Sequence, residues 1–133
     1  DAKLSRLFPT PEKLSRARFN DIGLVRTRAE TIRRVAQAVC NGSLVFDNVQ
    51  DPDEFRKSLT SIKGIGDWTA QYVAMRALKF PDAFPASDLG LLKAVGEKNI
   101  SGVKNLRGRA EAWRPWRAYA AMLLWNSLPN SGG

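Results

Sequence analysis

Leu59-Thr60-Ser61-Ile62-Lys63-Gly64-Ile65-Gly66-Asp67-Trp68-Thr69-Ala70 sets two glycines around one apolar residue, between two stretches of helical character. Ahead of it, Asp51-Pro52-Asp53-Glu54 supplies an N-cap, a proline at the first helical position and an acid at the capping-box position. That opens a helix carrying Phe55, Leu59 and Ile62. Glycine adopts backbone conformations that other residues resist, so Lys63-Gly64-Ile65-Gly66 predicts a tight reversal. A second helix then runs from Asp67 to about Leu78, ending before Pro81. Unpaired N–H groups and the positive end of a helix dipole suit a phosphate, and glycines let a nucleic-acid backbone come close. Gly64, Ile65, Gly66 and Thr69 are the candidates for that contact. The same spacing also fits an ordinary helix-loop-helix corner.

Outward from this hairpin the punctuation stays helical. Thr10-Pro11-Glu12 predicts a short helix to about Ala17, with the Thr10 hydroxyl as cap. From Leu24 to Cys40, Val25, Ala29, Ile32, Val35, Ala36 and Val39 recur at three- and four-residue intervals before Gly42 terminates the helix. Downstream, Ser87 can cap a short helix through Asp88 to Val95, and Lys104 to Trp113 and Trp116 to Leu128 form a pair broken at Pro115. No alternating strand of useful length is present. The expected class is all-α, a helical bundle containing a helix-hairpin-helix, with residues 1–128 as one domain and residues 129–133 as a flexible tail.

Composition narrows the chemistry. Lys plus Arg number 21 against 13 Asp plus Glu, a net charge of +8, which suits a polyanionic partner, although a solvated cationic surface or an anionic membrane contact would carry the same charge. No apolar run approaches a membrane span and no signal-peptide pattern occurs, so a soluble, intracellular protein is expected. Histidine is absent and Cys40 is the single cysteine. Ser-His-Asp and Cys-His catalysis, zinc clusters, disulfides and a four-cysteine iron-sulfur cluster are therefore excluded within this chain. Among Val35, Ala36, Ala38 and Val39, Cys40 reads as a buried structural thiol.

The stretch Ile62 to Ala70, with Tyr72, Arg76, Pro81-Asp82 and Phe84 to Asp88, resembles the helix-hairpin-helix DNA glycosylases that carry a Gly/Pro-rich loop and a catalytic aspartate. Within them it is most similar to the bacterial 3-methyladenine DNA glycosylase II type. The resemblance extends from Leu7-Phe8-Pro9-Thr10-Pro11 to Trp113-Arg114-Pro115-Trp116-Arg117-Ala118-Tyr119-Ala120. It implies base-excision repair of double-stranded DNA containing alkylated bases, with base flipping, by a protein that is monomeric at full length and works in the cytoplasm at the bacterial nucleoid. It implies that Asp88 is the essential carboxylate, and physical chemistry gives that role a reason. Breaking the bond to a base builds positive charge on the sugar, which a fixed carboxylate stabilises in the transition state. Asp88 could instead merely start a helix beside Ser87.

Trp68 and Tyr72, four residues apart, share one side of their helix with Arg76, while Ala70, Val73, Ala74 and Ala77 form a separate packing stripe. An extruded alkylated base is flat and often cationic, and such rings can stack on it, although core packing would use them equally well. Trp125 matches a further pocket tryptophan of the family, and its neighbours Leu123 and Leu124 fit a core role too. Bifunctional members carry a lysine at the Trp68 position, so the resemblance implies a monofunctional hydrolase. It also implies no required cofactor and a structural monovalent cation, sodium or potassium, on the main-chain carbonyls of Thr60, Ile62 and Ile65. Relatives of this type have an antiparallel β domain and further helices ahead of the matching segment, and this chain begins at Asp1, so it is expected to be a fragment. The competing expectations are a non-enzymatic module that grips DNA backbone without sequence preference, and an inactive, self-associating fragment.

Overall fold

The computed structural model describes residues 7–49 and 51–128, and among these every regular element is helical. The chain divides into two compact units after Ile65.

The first unit contains α1 (Pro11–Arg16), α2 (Arg26–Cys40) and α3 (Pro52–Thr60). Its core is small: Ala29, Ala36 and Ala38 of α2 with Leu44, Phe55 and Leu59, and Phe46 set edge-on to Phe55 at 5.4 Å. Arg33 fastens the connection from α1 to α2, because its Nε donates to Ala17 O at 2.8 Å while its guanidinium lies over the Phe19 ring at 5.3 Å. Asp51 caps α3 as its sequence predicts, accepting from Asp53 N and Glu54 N. Two expectations fail here. The Thr10 hydroxyl makes no cap bond to α1. Cys40 is exposed, because it ends α2 and the chain turns away through Asn41 and Gly42, whose φ is +77°.

The second unit holds α4 (Asp67–Arg76), α5 (Leu89–Ala94), α6 (Ile100–Ala110), a single 3-10 turn (Glu111–Trp113) and α7 (Arg117–Ser127). Ala74 and Met75 of α4, Leu91 and Leu92 of α5, Leu106 and Ala110 of α6 and Ala118 and Ala121 of α7 are buried together. Small residues let these helices come close, and Phe84 with Trp113, edge-on at 5.8 Å, fills the remaining space. The packing stripe of α4 is Ala70, Ala74 and Met75, and Ala77 lies outside it and exposed. Helix α6 starts at Ile100, four residues before the expected Lys104, because the Asn99 side chain accepts from Gly102 N and caps it there. Residues 129–133, read as a flexible tail, lie outside the described residues. No helix among the described residues is long and apolar enough to cross a membrane.

Candidate active site

Asp88 stands immediately before α5, and it, rather than Ser87, is the cap: its Oδ1 accepts from Leu91 N at 2.9 Å. Two indoles complete its surroundings. Trp125 Nε1 donates to Oδ1 at 2.8 Å and Trp68 Nε1 donates to Oδ2 at 2.8 Å. Trp68 comes from the first turn of α4 and Trp125 from the last turn of α7, so three elements of the second unit meet on one carboxylate. Burial pushes the carboxyl up, but the N–H donors of Trp125, Leu91, Trp68 and Gly90 outweigh it, and Asp88 sits below the usual aspartate range. It is an anion at neutral pH.

Tyr72 lies one turn beyond Trp68 and stacks on it, with ring centroids 5.2 Å apart and planes 14° apart. Trp125 stands 6.2 Å from Tyr72 at 60°. Trp68 and Tyr72 are 39% and 37% exposed, which rules out the core role for both. Trp125 is half-buried against the core while its indole N–H serves Asp88, so packing and site roles coincide in that residue. Asp88 likewise both caps a helix and faces the aromatic cluster.

The segment leading to Asp88 is fixed along its length. Phe84 N donates to Gln71 Oε1 of α4 at 3.0 Å, Ala118 N donates to Pro81 O at 2.8 Å, and Ala83, Phe84, Pro85 and Ala86 are buried. Asp82 accepts from Arg117 Nε at 2.7 Å and from Arg117 Nη2 at 2.9 Å, with Arg114 on the same carboxylate. Burial raises the Asp82 pKa, and the Arg117 hydrogen bonds and the two guanidinium charges more than reverse this. Sequence reasoning missed Gln71, Gly90, Arg114 and Arg117 as supports. The arginines lie 32 and 35 residues from Asp82, beyond any local pattern, and Gln71 reads simply as a polar position of α4.

The turn residues divide at the unit boundary. In the first unit, Gly64 has φ +104°, and a Cβ there would stand 2.0 Å from Thr31 Oγ1. Arg34 Nη1 donates to Lys63 O at 3.3 Å. The Ile65 amide is used inside the turn, donating to Ile62 O at 3.0 Å. In the second unit, Gly66 is the N-cap of α4 and no side chain caps that helix, so its first turn, which includes Thr69, keeps its N–H groups without a side-chain acceptor at the cap.

No protein-family model matches the chain. It is 37% identical over 126 residues to a probable bifunctional transcriptional activator/DNA repair enzyme of Mycobacterium tuberculosis, covering 94% of this chain and 25% of that protein. It is 34% identical over 123 residues to DNA-3-methyladenine glycosylase 2 of Escherichia coli, covering 89% of this chain and 42% of that one. The chain thus spans a quarter to two fifths of the length of these curated relatives. Among solved structures it superposes on the Schizosaccharomyces pombe 3-methyladenine DNA glycosylase in complex with abasic DNA, with a TM-score of 0.82, 25% identity, and coverage of 95% of this chain and 67% of that one. The chain is a homologue of the DNA-3-methyladenine glycosylases and shares the all-helical fold of the solved glycosylase on which it superposes.

Proposed function

We propose that this chain carries the catalytic carboxylate of a monofunctional DNA glycosylase that hydrolyses the N-glycosidic bond of alkylated bases, such as 3-methyladenine, in double-stranded DNA. The observation that carries this reading is the Asp88 carboxylate held by two indole N–H groups beside a pair of exposed, stacked rings. As the bond to the base lengthens, positive charge grows on the sugar, and a carboxylate already fixed in place stabilises that charge without reorganising. An open face of the Trp68 and Tyr72 stack accepts the flipped base, and a cationic base gains from the ring's electron density. Such a base leaves as a neutral molecule, so a site with no histidine suffices. Trp68 supplies no amine for a Schiff base, which favours hydrolysis alone.

DNA backbone is received at the uncapped start of α4, through Gly66 and Thr69, with Gly64 and Ile65 setting the turn before it. A sodium or potassium ion on the carbonyls of Thr60, Ile62 and Ile65 would stiffen that turn, and no chemical step passes through it. The alignments run through both units, which supports reading residues 1–128 as one functional domain; the full-length protein is read as a monomer acting at the bacterial nucleoid. Release of free base from methylated duplex DNA tests the proposal. Asp88→Asn is expected to lower release by roughly a hundredfold or more while leaving DNA affinity unchanged. Undiminished release by that variant would remove Asp88 from the reaction.

A further inference from the structure

The two indoles meet Asp88 with their edges, not their faces, and they divide its oxygens unequally. Oδ1 accepts from Trp125 Nε1 at 2.8 Å and from Leu91 N at 2.9 Å, the amide of its own helix, whereas Oδ2 accepts from Trp68 Nε1 at 2.8 Å. Oδ1 is thus tied both to the start of α5 and to α7, while Oδ2 is turned to the exposed indole of α4. Tyr72 braces both donors, stacked on Trp68 and tilted against Trp125. Gly90 leaves the space this needs: a Cβ there would stand 3.0 Å from Asp88 Oδ1 and 3.2 and 3.3 Å from Cδ1 and Nε1 of Trp125. Those are the atoms at the edge that donates the bond, and Gly90 has an ordinary helical backbone, so the glycine is required by space rather than by φ.

We propose that Trp68 and Trp125 are positioning residues forming a two-indole clamp on Asp88, in which Oδ1 is the anchored oxygen, Oδ2 is the oxygen presented to the sugar, and Gly90 is the residue that lets the clamp close. This rests on the glycosylase reading of Asp88. It gives the rings a second duty, since each N–H steadies the carboxylate in its charged form while a ring face remains for stacking. Hydrogen bonds to a charged acceptor are the strong ones, and their loss raises the pKa of the acid they held.

Replacing Trp68 or Trp125 by β-(3-benzothienyl)alanine keeps the fused-ring shape and puts sulfur where the N–H was. Gly90→Ala presses on the same bond by a different route. Asp88 is read directly from the titration of its 13C-labelled carboxyl, and in parallel from the acidic limb of base release against pH. Both sulfur variants are expected to move the Asp88 titration and the acidic limb to higher pH, the Trp125 variant further than the Trp68 variant, and Gly90→Ala to follow Trp125. An Asp88 titration unmoved by either sulfur substitution overturns the clamp, even where base release survives. A titration that moves in a protein releasing no base supports the clamp and instead overturns the glycosylase reading. Trp68 is 39% exposed, so its replacement does not empty the core, and that variant reports even where a Trp125 variant is destabilised.

Discussion

Gly64→Ala is the substitution whose cost the structure fixes most tightly. The residue has φ +104°, outside the regions that L side chains occupy, and holding alanine there costs about 1–3 kcal/mol. Its new Cβ would also lie 2.0 Å from Thr31 Oγ1, which no packing tolerates, and 3.1 Å from Thr31 Cβ and Cγ2, where the neighbour must give by a few tenths of an ångström. Thr31 must turn away and give up its 3.0 Å hydroxyl bond to Thr27 O, a net loss of about 1 kcal/mol. Gly64→Ala should therefore destabilise the first unit by about 2–4 kcal/mol. Thr31→Ala alone should cost about 1 kcal/mol or less, and the double variant should retain the backbone strain and the tight Cβ–Cβ contact without the 2.0 Å clash on Oγ1. All four tryptophans lie in the second unit, so fluorescence carries no probe within the first. Hydrogen exchange of the α2 and α3 amides is the appropriate assay. Protection of those amides equal to wild type in Gly64→Ala would refute the strain, and a double variant less protected than Gly64→Ala would refute the clash with Thr31.

Arg117→Ala should move the acid-unfolding midpoint to higher pH, followed by tryptophan fluorescence. The folded-state pKa of Asp82 lies below its ordinary value, so its stabilisation is present above the ordinary carboxylate range and is lost as pH falls through the folded value; removing Arg117 shortens that window from below. Gln71→Ala strips the acceptor from the half-buried Phe84 N and should cost about 1–3 kcal/mol in urea unfolding, whereas Gln71→Glu, which restores an acceptor, should recover most of it. Affinity for duplex DNA should fall steeply with salt while the single-turnover rate at saturating protein stays nearly constant, because binding displaces counterions and Asp88 acts at contact distance. A salt-independent affinity would contradict a backbone-binding role.

Helix existence was legible throughout because local signals set it: Asp51-Pro52, Gly42 and the apolar spacing of α2 act within one or two turns. Ends were less so, since capping is a competition among neighbours. Asn99 won over the expected later start of α6, and Asp88 over Ser87, in each case because a side-chain oxygen reached the amide three residues on. Asp88, Trp68, Tyr72 and Trp125 were legible as a set through resemblance, and the structure brings all four together. Their edge-to-oxygen bonds were not, because nothing in spacing tells whether an indole offers its face or its N–H. Cys40 went wrong for a related reason: apolar neighbours along a helix do not say where the next turn leaves it.

The stacked pair narrows where a base can go. Trp68 and Tyr72 are parallel within 14° at 5.2 Å, so their shared interface is already closed and no third ring enters between them. The outer faces of the two rings are not equivalent under the proposed reading. Trp68 donates from its edge to Asp88 Oδ2, so a base on its outer face lies one ring layer from the indole plane at whose edge Oδ2 is bound. A base on the far face of Tyr72 lies with the Tyr72 ring between it and that plane. The interaction with a developing sugar cation falls with distance, so only the Trp68 face puts the breaking bond where Oδ2 can act on it. The same face offers the better cation-π partner, indole over phenol, so binding of a charged base and alignment of its glycosidic bond favour one and the same pose.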